Sequence, residues 1–151
     1  MTVDRLTDLI GQEMVSPWRD VTQDQVSQFA DITGDRQWIH VDADRARRES
    51  PFGGATIGTV AHGFFTLALS SRLLREAVGA IDGARMGINY GLNKVRFPAP
   101  LPTGSRVRGR CTLQRVDAVD GGVQATWIVV IERDGSVKPC CAAEWLVRYY
   151  Q

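Results

Sequence analysis

The sequence predicts an α+β fold in which an antiparallel sheet wraps around one long helix. Three observations carry that prediction. The first half of the chain repeats its apolar residues at helical spacing, residues 61–78 form an apolar run bounded by turn residues, and from Met86 onward the pattern turns to period two. A helix that is apolar nearly all round has to be enclosed nearly all round. A strongly twisted antiparallel sheet is the neighbour that the rest of the chain supplies.

The elements follow in order. Leu6, Leu9, Ile10 and Met14 recur at helical spacing and predict an N-terminal amphipathic helix reaching about Gly11–Met14. Pro17 disfavours helix at Ser16, so Ser16–Asp20 reads as extended. Thr22-Gln23-Asp24-Gln25 is a capping box, and it opens a helix from about Gln23 to Ile32 with Val26, Phe29, Ala30 and Ile32 toward the core. Gly34 ends that helix as a natural left-handed stop. A short helix over Asp42–Arg48 is broken by Pro51-Phe52-Gly53-Gly54. In the central run Phe64, Leu67, Ala68, Ser71, Leu74 and Val78 share one stripe, Phe65 and Leu69 make its first half apolar on all sides, and Gly79 closes it.

The second half is a meander. Ile88, Tyr90 and Leu92 share one parity while Val95 and Phe97 take the other, which predicts a bulge near Asn93–Lys94. Alternation then recurs through Val107–Leu113, Val123–Ile131 and Cys141–Tyr149, with hairpin turns at Asp120-Gly121-Gly122 and Asp134-Gly135. No repeat or linker interrupts the 151 residues, which read as a single domain. A sheet of this kind keeps an open edge that a second copy can extend, so a homodimer is expected.

Composition excludes several classes of function. A formal net charge of +1 gives no field to attract nucleic acid, and the longest apolar stretch, within Ala61–Leu74, is too short and too interrupted to insert in a membrane. Cys111, Cys140 and Cys141 cannot all pair and lack metal-binding spacing, so reduced, buried thiols are expected. With no apolar segment near Met1 to serve as a secretory signal, the expected location is cytoplasmic. Two histidines 22 positions apart without a third clustered ligand make a poor metal site, and none is expected.

Chemistry gathers at Gly34–His40 and at Ala61-His62-Gly63. The first stretch sets a carboxylate, Asp35, and an imidazole, His40, five residues apart on a loop. The second supplies the Gly63 backbone N–H where a helix begins, unpaired and at the positive end of the helix dipole. Together they read as an acid/base pair facing an oxyanion site.

These residues resemble the MaoC-like, (R)-specific enoyl-thioester hydratases of the hotdog fold. The signature of that family, Gly-Asp-x-Asn-Pro-(aliphatic)-His, stands here as Gly34-Asp35-Arg36-Gln37-Trp38-Ile39-His40. Its helix-opening turn stands as Val60-Ala61-His62-Gly63-Phe64. Gln37 and Trp38 replace the usual Asn-Pro, a variant similar to the NodN-like branch. The resemblance implies reversible hydration of trans-2-enoyl thioesters by Asp35 and His40, with base and acid roles open between the two. It also implies a polar group near the dyad at Ser71 and a catalytic N–H at Gly63.

The resemblance further implies a thioester bordered by Val60, Ala61, His62 and Gly63, and a pantetheine and acyl lining from Met86, Gly87, Ile88, Asn89, Phe97, Pro98 and Ala99. Coenzyme A, or a carrier protein, is then part of the substrate and no separate cofactor is implied. Lys94, Arg96 and the alternating Arg106, Arg108 and Arg110 read as a solvated or edge strand, with coenzyme A phosphates as the alternative. A hotdog thioesterase would need a carboxylate on the central helix; residues 61–75 hold none, and Glu76 comes late. A non-catalytic thioester-binding module is the other alternative, kept open by Trp38.

Overall fold

The structure, a computed structural model, describes residues 2–53 and 57–151. The Gly54 part of the expected helix breaker lies outside the described residues; Pro51–Gly53 form a turn.

The N-terminal segment departs from the expected α-helix. Val3–Leu9 is a 3₁₀ helix that buries Val3 and Leu6, a spacing of three that suits three residues per turn as well as an α-helix. Gly11, at φ 81°, turns the chain, and its N–H donates to Leu113 O at 2.9 Å. Met14 then sits in strand β1 (Glu13–Val15), followed by β2 (Arg19–Asp20), both antiparallel to β4 (Arg106–Val119).

Helix α1 (Gln23–Thr33) opens with the capping box intact: Thr22 Oγ1 accepts from Gln25 N–H at 3.2 Å, and Gln25 Oε1 accepts from Thr22 N–H at 3.0 Å. Val26 and Ala30 are buried, and Phe29 packs against the core, but Ile32 is 86 % exposed. At 3.6 residues per turn Ile32 lies about 120° around the helix from Val26, on the solvent side. Two short helices follow, α2 (Trp38–Val41) and α3 (Ala43–Glu49), the second capped by the Asp42 side chain on Arg45 N–H.

The central helix comes in two pieces, α4 (Gly63–Ala68) and α5 (Ser70–Val78). At the junction Leu69 N–H is shared between Phe65 O and Thr66 O, 3.2 Å from each, so the ladder loosens without ending. Nor is the helix enclosed on all sides. Phe65, Thr66, Ser70, Leu73 and Leu74 are buried against the sheet, whereas Phe64 is 74 % exposed.

The sheet is antiparallel throughout, in the order β1-β4-β5-β6-β3, with β3 (Met86–Arg96), β5 (Gly122–Arg133) and β6 (Cys141–Tyr150). Alternation along β4 and β6 sets Val107, Cys111, Leu113, Cys141, Trp145 and Val147 into one core with Trp127 of β5 and Leu73 of α5. Strand β3 shifts register twice against β6, at the expected Asn93 and again at Tyr90. The three cysteines are free and buried.

Candidate active site

The end of helix α1 leads into Asp35, and α2 carries His40. Gly34 ends α1 at φ 75°, and the chain turns through Asp35 into the single helical turn that carries His40. His40 is therefore helical, not on a loop as its spacing suggested, and its N–H donates to Gln37 O at 2.9 Å. Trp38, the departure from the signature, lies at the start of this turn with the Arg45 guanidinium 4.7 Å over its ring.

His40 is pinned from both ends. Its Nδ1–H donates to Val60 O at 2.7 Å, and Val60 N–H donates back to Ile39 O at 3.0 Å. On the other side Gln23 Nε2 donates to His40 O at 2.8 Å, while Gln23 Oε1 accepts from Thr59 Oγ1, itself 2.6 Å from Thr103 Oγ1. Sequence reading missed Gln23, Thr59 and Thr103. Gln23 sits inside the capping box and reads only as a helix start, and the two threonines are 36 and 80 positions further on.

Because Val60 O can only accept, His40 carries its proton on Nδ1 and keeps a lone pair on Nε2. Burial holds the His40 pKa below the ordinary imidazole value, and the neighbouring His62 presses the same way; the Val60 carbonyl and the Asp35 charge oppose them. A carboxylate oxygen of Asp35 and a ring nitrogen from each histidine lie within 4.8 Å of one another. That separation suits one water held by two hydrogen bonds of about 2.8 Å.

The fold thus joins the two histidines that spacing had left apart. Their rings stack at 3.7 Å with 25° between planes. In-plane lone pairs on nearly parallel rings do not converge on one point, so the trio in this arrangement does not fit a shared metal ion. His62 Nε2–H donates to Asp35 O at 2.9 Å.

Gly63 opens α4 next to these rings, at the edge of a cavity of about 330 Å³. Val60, Ala61, Phe97, Pro98 and Ala99 line the same cavity with His40, Phe52 and Cys140. A Cβ on Gly63 would come within 3.1 Å of the Phe97 ring, so the glycine permits this close approach. Burial pushes the Cys140 thiol up to about 11, which keeps a nucleophile in this wall protonated.

The remaining expected residues lie elsewhere. Ser71 is eight positions past Gly63, about 12 Å along an ideal helix, and lines two other cavities of about 290 and 270 Å³. Asn89 borders both, Met86 and Gly87 border the first, and Ile88 stands exposed on β3. Arg106, Arg108 and Arg110 form ion pairs with Asp134, Glu132 and Glu13 at 2.5, 2.7 and 2.5 Å, in keeping with a solvated strand face. Glu76 is bonded to Arg19 and Arg72, which hold its carboxyl below the usual range, so it is committed to those guanidiniums rather than free as a base.

Comparison with known proteins gives the family and the fold. Residues 5–132 match the family model described as MaoC like domain. The chain is 53 % identical to 3-hydroxyacyl-thioester dehydratase Z of Mycobacterium tuberculosis, over 93 % of this chain and 87 % of the relative. It is 40 % identical to nodulation protein N of Rhizobium meliloti, over 97 % and 89 %. Among solved structures, the (R)-hydratase from A. caviae involved in PHA biosynthesis superposes with a TM-score of 0.71 at 22 % identity, covering 91 % of this chain and 94 % of that one. The MaoC-like dehydratase from Rhodospirillum rubrum gives 0.72 at 21 % identity, covering 97 % and 96 %. The fold is the hotdog, and the chain belongs to the MaoC-like dehydratase family, as an enzyme of the hydratase and dehydratase class.

Proposed function

We propose that this chain, as one MaoC-like domain, is an (R)-specific enoyl-thioester hydratase and 3-hydroxyacyl-thioester dehydratase. It adds water reversibly to trans-2-enoyl groups carried on coenzyme A or a carrier protein. One observation carries the reading: Asp35 lies at water-bridging separation from His40, and His40 lines a cavity that the Gly63 end of the central helix borders. The relative named 3-hydroxyacyl-thioester dehydratase Z supports the substrate class.

In hydration, neutral His40 takes a proton from a water that Asp35 also holds, as the water oxygen bonds to Cβ. The Cβ–Cα π electrons move toward the thioester oxygen, to which the Gly63 N–H donates a hydrogen bond as its charge grows. A donor of this kind contributes about 3 kcal/mol. The His40 imidazolium, next to the Asp35 carboxylate, then returns its proton to Cα on the same face. Water and the thioester supply every atom, so no cofactor is needed.

Val60, Ala61, His62, Phe97, Pro98 and Ala99 are assigned to the thioester end. Ser71 with Met86, Gly87, Ile88 and Asn89 is assigned to the acyl end, where Ser71 and Asn89 border both further cavities. A homodimer joined through β3 is part of this reading, supported by the exposed Met86, Tyr90, Leu92 and Phe64. Three free, buried thiols suit a reducing compartment such as the cytoplasm.

The test follows enoyl-thioester absorbance and free thiol together, for the wild type, Asp35→Asn and His40→Gln. Loss of conjugation without thiol release, falling by about 10²–10⁴ in either variant, is the expected result. Thiol release would indicate a thioesterase, and silence in both channels a binding module.

A further inference from the structure

The two imidazoles of the stacked pair each commit one nitrogen to a backbone carbonyl, but the two bonds serve different ends. His40 Nδ1–H fixes His40 itself through Val60 O, whereas His62 Nε2–H reaches Asp35 O, on the segment that carries the other half of the dyad. Residues 34–37 are exposed, and their other hydrogen bonds and ion pairs are local: Arg36 N–H to Gly34 O, Asp35 N–H to Thr33 Oγ1, Arg36 to Asp31, and Gln37 O to His40 N–H. Among the described residues, the His62 bond is the one hydrogen bond that ties this turn to a distant segment.

His62 is well placed as an anchor. It is 3 % exposed, stacked on His40 at 3.7 Å and packed against Phe29 at 5.0 Å, and its carbonyl accepts both the N–H and the hydroxyl of Thr66 as α4 begins. Its Nδ1 is buried without a partner. An unpaired buried acceptor is a cost that an apolar ring in the same slot would not carry. The imidazole is explained by what its other nitrogen does.

We propose that His62 is a positioning residue that tethers the Asp35 turn and so sets the separation between Asp35 and His40. The role rests on the dyad reading above. A misplacement of about 1 Å at a reacting group can cost on the order of a hundredfold in rate, and a turn held by one bond is open to such a displacement.

Three substitutions separate the tether from the packing. In His62→Phe the ring and its volume remain and the donor is lost; in His62→Gln the side-chain amide reaches as far as Nε2 and restores a donor to Asp35 O. Both remove the imidazole from beside His40; they differ in the tether and in the stacked ring, and His62→Asn, which lacks both the ring and the reach to Asp35 O, separates the two, since it should titrate His40 below His62→Gln. His40 is then the single histidine left in each variant, and its imidazole proton resonance titrates without overlap.

Because the Asp35 charge raises the His40 pKa, His40 should titrate at lower pH in His62→Phe than in His62→Gln. The kcat should fall about a hundredfold in His62→Phe and recover most of that loss in His62→Gln, with KM changing far less. Should His62→Phe fail to fold, His62→Asn, whose amide stops short of the carbonyl, replaces it. Coincident His40 titrations in the tethered and untethered variants overturn the inference, whatever the turnover. A wild type that does not hydrate enoyl thioesters overturns the functional reading instead, and the titrations still decide the tether.

Discussion

Burial and the stacked His62 press the His40 imidazole toward its neutral form, while the Val60 carbonyl and the Asp35 charge press the other way, and burial is the largest of these effects. With a pKa below the ordinary 6.5, His40 stays a base through neutral pH, and kcat/KM for hydration should fall on the acid side with a midpoint below 6.5. Stability follows the same proton. Above pH 6.5 both folded and unfolded chains hold this imidazole neutral, so it adds no slope. As pH falls below 6.5 the unfolded chain takes a proton that the folded chain still refuses, and stability drops until the folded pKa is passed. Urea midpoints of the wild type between pH 7.5 and 5.5 should therefore fall more steeply than those of His40→Gln; equal slopes would remove burial as the cause. The pair Asp35 and His40 was legible because a motif with fixed spacing names both. Their supports were not: Gln23 and His62 act through backbone carbonyls of residues 17 and 27 positions away, and a backbone carbonyl leaves no mark in a sequence, while Thr59 reaches Gln23 across 36 positions.

Among the elements, the seating of α5 on β4 depends on one residue. Gly109 faces Leu73 so closely that a Cβ there would lie 2.9 Å from Leu73 Cβ. Neither atom is at the end of a flexible chain, so Gly109→Ala has to move the helix off the strand, at a cost of about 1–3 kcal/mol. At this size that is a drop of roughly 2–4 °C in Tm for each kcal/mol, read by thermal unfolding; an unchanged Tm would show that the helix slides freely. Thr22→Ala, which removes the α1 cap, should cost about 1 kcal/mol by the same measurement. Period and capping made β4, β5, β6 and α1 readable, since alternation on a half-buried strand and a reciprocal cap are both local rules. The N-terminal segment was misread because Leu6 and Leu9 satisfy a 3₁₀ turn as well as an α-helix, and Met14 was claimed by β4 instead. The break at Leu69 has no Gly or Pro to announce it.

At the scale of the molecule, the mismatch between a helix apolar on all sides and a sheet that covers one side of it is the feature that still has to be resolved. Phe64 stands 74 % exposed on α4, and Met86, Ile88, Tyr90 and Leu92 are exposed along β3, whose one strand partner among the described residues is β6. An edge strand with this apolar content is unstable as a free surface, and joining β3 to its symmetry mate continues the sheet and covers the helix with one operation. The sequence held both halves of this argument, in the all-round apolar helix and in the open edge. In the proposed homodimer, the enclosure that the helix pattern demands would come from two chains rather than one. Phe64→Glu tests it, because a carboxylate at an already exposed position has little effect on a lone chain but is buried unpaired if a partner covers it. Sedimentation should show the wild type at twice the chain mass, with a Tm that rises with protein concentration. Phe64→Glu should sediment as a monomer with the same far-ultraviolet spectrum and lose hydratase activity, since α4 carries both Phe64 at the interface and Gly63 at the thioester. A variant that stays dimeric would put the interface elsewhere and leave this apolar face unexplained.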